Sequence, residues 1–294
     1  MNIYSCIDSK NIEKIFVLFY SVYENTKNYD KLNFYIITDL EPTIEIPKFL
    51  KNNLKIRIID FNKKWLNILE KFNKHFYNRS NWCKSDLNFA RFFIFDIFPK
   101  LDRVIYLDWD MIVQTDIFNL INNYNNNKAI VATLLNNWNI KQNIINEKNK
   151  INTNILSIIE KKLNLNNIFS KNSFNSGFYI VSKKDFKLEN LYKFINKIID
   201  IQIEYNAFKF GTQVIMNLLL ENVEFIDYKW NTNKIDSSSF IIHWCGHKKP
   251  WDSNDPIWYE YFNKLYSKKE EMKNKHETHY KLLNKKALIL LKNT

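Results

Sequence analysis

The chain has 294 residues, of which 46% are hydrophobic and 16% aromatic, enough to pack one large domain and too many for a chain that stays disordered. No run reaches the roughly 20 apolar residues of a membrane span, and the opening MNIYSCIDSK lacks the basic and apolar regions of a cleaved secretory signal. A formal charge of +12 admits three partners: nucleic acid, an anionic membrane surface or a phosphate-bearing substrate; the Asn-, Lys- and Ile-rich composition accounts for part of the excess.

In chain order, Asn2 to Ile7 reads as a short apolar strand ending at Asp8, and Ile12 to Tyr23 has helical periodicity. Asn33 to Thr38 and Leu54 to Ile59 read as further strands. This strand-helix-strand alternation predicts an α/β fold with a mostly parallel sheet flanked by helices. Lys84 to Phe98 reads as an amphipathic helix stopped by Pro99, and Arg103 to Leu107 as a strand running into Asp108-Trp109-Asp110. Ala129 to Leu134 and Gly177 to Val181 are strands, separated by an Asn- and Lys-rich variable insertion over 136–172 with a helical patch at Ile151 to Leu163. Leu191 to Tyr205 and Thr212 to Asn222 read as helices, and Val223 to Asp227 and Phe240 to His243 as late strands. With no repeat and no Pro/Gly linker, the simplest division is one domain over 1–266 and a Lys-rich helical tail over 267–294.

Asp108 and Asp110 carry the first chemical signal. Residues i and i+2 of an extended segment point the same way, so two carboxylates converge at the C-terminal edge of a parallel sheet, where open α/β folds bind ligands. Carboxylates held together favour an oxygen-seeking ion, Mn²⁺ or Mg²⁺, which can neutralise a departing diphosphate. The plainer reading is two strand-end aspartates that cap a turn or pair with lysines. The second signal is His243-Trp244-Cys245-Gly246-His247-Lys248-Lys249-Pro250-Trp251. His243 can complete a metal site, Gly246 lets backbone approach a phosphate, and Lys249 supplies charge to it. Its plainer reading is a core histidine followed by a basic turn. Glycine is the third signal. The chain holds only three: Gly246 in the second signal, Gly177 after Phe174-Asn175-Ser176 and Gly211 before Thr212-Gln213, which points to positive φ or close backbone approach. The cysteines Cys6, Cys83 and Cys245, odd in number and widely spaced, make neither a disulfide framework nor a zinc cluster and suit a reducing cytosol.

Five segments together resemble glycosyltransferase family 8, which includes bacterial lipopolysaccharide galactosyl- and glucosyltransferases and glycogenin. They are Asp8 with Ser21-Val22, Phe89-Ala90-Arg91, Tyr106-Leu107-Asp108-Trp109-Asp110, Phe174-Asn175-Ser176-Gly177, and His243-x-x-Gly246-x-x-Lys249-Pro250-Trp251. The resemblance implies a GT-A fold, a UDP-sugar donor, Mn²⁺, and transfer of a hexose, glucose or galactose, with retention of configuration. The implied acceptor is a saccharide or glycolipid, in lipopolysaccharide or surface-glycan synthesis. Carried over, Asp108, Asp110 and His243 are the metal ligands. Asp8 contacts uracil, Arg91 the donor, Asn175 and Ser176 the donor sugar, Gly246 and Lys249 the diphosphate, and Gln213 lies near the anomeric carbon. Two departures stand out. Thr212 replaces the Asp of the family's Asp-Gln pair, and Lys10-Asn11 replace an Asn and an aromatic that hold the nucleoside in some members.

The tail, with eight lysines against three glutamates from Lys268 to Lys292 and the apolar Ala287 to Leu291, suits peripheral contact with an anionic membrane, and equally a solvated charged helix. The expected setting is cytoplasmic, with peripheral contact on the inner membrane face. The alternative is an impaired transferase-like protein that binds polyanions through its basic surface and aromatics such as Trp65, Trp82 and Trp138. Those aromatics suit core packing better, and no nucleic-acid motif is present, so nucleic acid is not an expected partner.

Overall fold

A computed structural model describes residues 1–39, 44–61, 70, 74–76, 87–123, 130–147, 153–186, 188–208, 212–220, 223–246 and 248–267. Gly211, Trp65, Trp82, Cys83 and the tail beyond Ser267 lie outside the described residues.

Seven strands form the main sheet in the order β3-β2-β1-β4-β7-β6-β8. They are β1 (Asn2–Cys6), β2 (Asn33–Thr38), β3 (Lys55–Asp60), β4 (Arg103–Leu107), β6 (Ile130–Asn139), β7 (Asn172–Ser182) and β8 (Val223–Ile226). β7 runs antiparallel to both neighbours, and the remaining pairings are parallel. A second, two-stranded sheet joins β5 (Met111–Val113) to β9 (Ile241–His243).

The central strands are buried on both faces, which is why they read as continuous apolar runs rather than as alternation. Adjacent residues still point to opposite faces. Ile3, Phe34, Ile105 and Phe178 pack on one side, with Ile15, Phe16, Phe19 and Val22 of the helix Ile12–Asn25. Tyr4, Tyr35, Tyr106 and Tyr179 face the other side, with Phe89, Phe92 and Phe93. The register places these four tyrosines side by side across β2, β1, β4 and β7. Tyr106 and Tyr179 stack at 5.0 Å, and the Tyr4 and Tyr179 hydroxyls lie 2.7 Å apart.

Three regions differ from expectation. The helix expected over Lys84 to Phe98 is, over its described part, Leu87–Ala90 and Ile94–Ile97 joined by a 3₁₀ turn at Arg91–Phe93. Phe89, Phe92, Phe93, Ile94 and Phe95 are all fully buried there, so no polar face remains for a regular amphipathic helix. The insertion is ordered where described: β6 extends through register shifts to Asn139, the helices Ile140–Glu147 and Thr153–Leu163 follow, and β7 returns from Asn172. The helix Pro256–Tyr266 was not anticipated. Among the described residues, no helix is long and apolar enough to cross a membrane.

Candidate active site

Two strand pairings assemble the site. Antiparallel pairing of β4 with β7 sets Leu107 opposite Phe178, and the Asp108 N–H donates to the Gly177 carbonyl at 2.8 Å. Pairing of β5 with β9 sets Met111 opposite His243, and the Trp244 N–H donates to the Asp110 carbonyl at 3.1 Å. The aspartate pair and the late histidine, far apart in sequence, thereby meet at one edge of the sheet.

Asp108, Asp110 and His243 offer one ligand atom each within 4.8 Å of one another. His243 Nε2 lies 3.4 Å from Asp110 Oδ1 and 3.9 Å from Asp108 Oδ2. Each residue's other polar atom is already engaged. Asp108 Oδ1 accepts from the Tyr106 hydroxyl at 2.5 Å and from Arg91 at 3.4 Å. Asp110 Oδ2 accepts from Lys249, and His243 Nδ1 meets Asn231 Oδ1 at 2.7 Å. The atoms left over are the three that converge. Two carboxylates and an imidazole suit Mn²⁺ or Mg²⁺ by ligand chemistry, so the residues fit the expected ion.

Electrostatics keep Asp110 and Arg91 charged. Burial would raise the Asp110 carboxyl, but His243 and Lys249 outweigh it and hold the group well below the usual carboxylate range. Burial works against the Arg91 cation as well, yet Tyr106 and Asp108 lift its pKa above the ordinary value. Arg91 is 4% exposed; its guanidinium lies 4.4 Å over the Tyr106 ring and donates to the Ser176 carbonyl at 3.0 Å. It therefore ties the Asp108 turn to the β7 segment.

The other expected residues gather around this centre. Asn175 Oδ1 accepts the Gly177 N–H at 2.8 Å, and Gly177 has no room for a side chain: a Cβ there would collide with the His243 ring and sit 2.9 Å from Asp108 Oδ2. Gln213, on the helix Thr212–Leu219, accepts the Ser176 N–H at 3.4 Å and donates to Asn143 at 3.5 Å. Both partners are uncharged, so no carboxylate replaces the absent Asp through these contacts, and Thr212 itself is buried. Asn143 belongs to the insertion, is buried, and donates to Ser173 at 2.8 Å. Gly246 has φ +101, a left-handed conformation that glycine accepts readily. Asp8, just beyond β1, accepts from Asn11 at 2.8 Å. Lys14 in turn reaches Asn11 and lies 4.4 Å over the Trp251 ring, which stacks on Trp109 at 4.9 Å. Ser21, which belongs to one of the five segments, is structural: its hydroxyl accepts the Val113 N–H at 3.0 Å and fastens the first helix to β5.

Asn231, Asn143 and Asn217 escaped the sequence reading. Asn217 clamps β7 by accepting the Phe174 N–H at 2.8 Å and donating to the Phe174 carbonyl at 3.0 Å. In a chain this rich in asparagine, nothing in composition or spacing sets these three apart.

The profile of Glycosyl transferase family 8 matches residues 2–255, a span that holds every one of these groups. The chain belongs to glycosyltransferase family 8. Mouse glycosyltransferase 8 domain-containing protein 1 is 24% identical over 268 residues, covering 79% of this chain and 68% of the mouse protein. Among solved structures, galactosyltransferase LgtC in complex with donor and acceptor sugar analogues superposes with TM-score 0.60 at 17% identity, over 90% of this chain and 95% of its own. The bifunctional glycosyltransferase WbbM gives TM-score 0.63 at 16% identity, over 93% of this chain and 50% of its own. The fold is therefore that of the family's GT-A enzymes, and the chain is a glycosyltransferase by membership.

Proposed function

We propose that this family 8 enzyme is metal-dependent and transfers a hexosyl group, glucosyl or galactosyl, from a UDP-sugar to a saccharide hydroxyl with retention of configuration. The observation that carries the reading is the convergence of Asp108 Oδ2, Asp110 Oδ1 and His243 Nε2, with Lys249 beside them. A bound Mn²⁺ or Mg²⁺ would offset charge on the departing diphosphate.

The chain's own groups take the remaining roles. Lys249 adds positive charge where the diphosphate leaves, and Gly246 keeps the loop backbone open to it. Asn175 and Ser176 face the donor sugar, and Gln213, braced between Asn143 and the Ser176 amide, stands beside the anomeric carbon. The bond from that carbon to the phosphate oxygen breaks, the acceptor oxygen bonds on the same face, and the acceptor's proton passes to the departing phosphate. Arg91 acts through the two segments it joins. Asp8 meets the base, with Asn11 holding its carboxylate. The acceptor is a saccharide or glycolipid of surface-glycan synthesis.

UDP release from a panel of UDP-sugars, with Mn²⁺ and with EDTA, tests this. One or two sugars should give release that EDTA abolishes, and Asp110→Asn should lower it by more than about 100-fold, beyond the usual outer-shell effect. Release that ignores EDTA, or an Asp110→Asn protein at full rate, would overturn the reading.

A further inference from the structure

We infer that Asn231 is a positioning residue: its side-chain oxygen holds His243 in the tautomer whose Nε2 is free to bind a divalent cation. The inference rests on the metal-dependent reading above.

A neutral imidazole carries one proton on either of two nitrogens, and only the bare nitrogen binds a metal. His243 has a different partner on each side. Nδ1 meets the Asn231 amide oxygen at 2.7 Å, while Nε2 faces the carboxylates of Asp110 and Asp108. Left to the carboxylates, the proton would settle on Nε2, and the ring would donate a hydrogen bond instead of binding an ion. The acceptor behind Nδ1 opposes that preference with the closer contact: its amide oxygen lies 2.7 Å away and is satisfied only by Nδ1–H, whereas the carboxylates stand 3.4 and 3.9 Å from Nε2.

The backbone holds Asn231 in place independently of the ring. Asn231 follows the 3₁₀ turn Tyr228–Trp230, and its own N–H donates to the Tyr228 carbonyl at 3.0 Å. On either side, Phe240 N–H donates to Lys229 (2.9 Å), Thr232 N–H to Ile241 (3.2 Å) and His243 N–H to Thr232 (2.8 Å). Buried Trp230, packed on Phe240 at 4.9 Å, anchors the turn. The register of Asn231 against His243 is thus set by main-chain bonds, and the side-chain oxygen is the end of the amide that lies against Nδ1.

The amide's other end is informative. Asn231 Nδ2 is buried and has no hydrogen-bond partner among the described residues. Among the described residues, the amide's side-chain contact is the one its oxygen makes to the histidine.

Two measurements on the full chain without donor test the inference. The first is Mn²⁺ affinity by electron paramagnetic resonance for wild type, His243→Ala, Asn231→Leu and Asn231→Asp, with melting curves for each. The second is ¹⁵N NMR of histidine-labelled, metal-free protein, with His243→Ala assigning the ring. Wild type should show Nδ1–H at His243. Asn231→Leu should move the proton to Nε2 and weaken Mn²⁺ binding by about 10- to 100-fold. Asn231→Asp, which keeps an acceptor, should retain both the tautomer and most of the affinity. If wild type binds no Mn²⁺, the metal reading fails and this inference with it. If wild type binds Mn²⁺ but shows Nε2–H, or if Leu and Asp variants bind alike, Asn231 has no such role while the metal reading stands.

Discussion

Gly177 lies where β7 passes directly beside the candidate metal triad, and the added Cβ of an alanine would meet the His243 ring, Asp108 Oδ2 at 2.9 Å and Asn175 Oδ1 at 3.0 Å. Two of these belong to the candidate metal site, so any relief displaces it. Gly177→Ala is expected to weaken Mn²⁺ binding by at least about 10-fold and to cost about 1–3 kcal/mol of stability through overpacking. Metal titration and urea unfolding of the same variant measure both, and an unchanged Mn²⁺ affinity would show that the triad tolerates the shift. The two described glycines serve different needs: Gly177 gives close approach, while Gly246, at φ +101 with open space around it, gives a left-handed backbone. Their scarcity in the sequence marked both positions, but only the coordinates separate the two reasons.

At the scale of elements, the loop between β9 and the helix Pro256–Tyr266 carries Gly246 and Lys249 and is fastened at both ends. Asp255 caps the helix by accepting from the Ile257 and Trp258 N–H groups, and its other oxygen accepts the Trp244 indole N–H at 3.1 Å. Trp251 stacks on Trp109, between the two metal-motif aspartates. Asp255→Ala removes the cap and leaves the buried Trp244 N–H unpaired, so a loss of about 1–3 kcal/mol is expected. Because Lys249 rides on the same loop, the proposed function also predicts a raised KM for the UDP-sugar. An effect on the urea midpoint without any change in KM would separate the helix from the loop. The cap signal, Asp255-Pro256 before an aromatic run, was present in the sequence; the aromatic density of its neighbourhood hid the helical period.

Over the whole molecule, the sheet divides the interior into two cores, and the tyrosine row gives one of them a titratable lining. Burial raises Tyr4 and Tyr106 well above 10.0 and pushes the Cys6 thiol up to about 12 from 9.0. The native state therefore keeps protons that the unfolded chain releases first. The stability they contribute is fully present below the ordinary pKa values and declines as pH rises from about 9 toward 12, by at most about 1.4 kcal/mol per pH unit for each group. Urea midpoints from about pH 8 to about pH 11 should fall steadily, and Cys6→Ala should flatten the earliest part of that decline. A midpoint independent of pH over this range would mean that these groups titrate alike in both states.

The alternation of strands and helices, the aspartate pair after β4, the Phe174 to Gly177 segment and the His243 to Trp251 segment were all legible in the sequence. They are local patterns, fixed by apolar periodicity, by the spacing of residues that share one chemistry and, for the Phe174 to Gly177 segment, by its resemblance to the family. Non-local pairing decided the rest. Only the register of β5 against β9 brings His243 to the aspartates, and only the antiparallel insertion of β7 lays Gly177 between them. Of the partners that engage the other polar atom of each candidate ligand, Tyr106 is local to Asp108, but Arg91, Lys249 and Asn231 come from three other parts of the chain. No spacing rule connects them, because a hydrogen bond across a folded chain depends on where two backbones meet and leaves no period in the sequence.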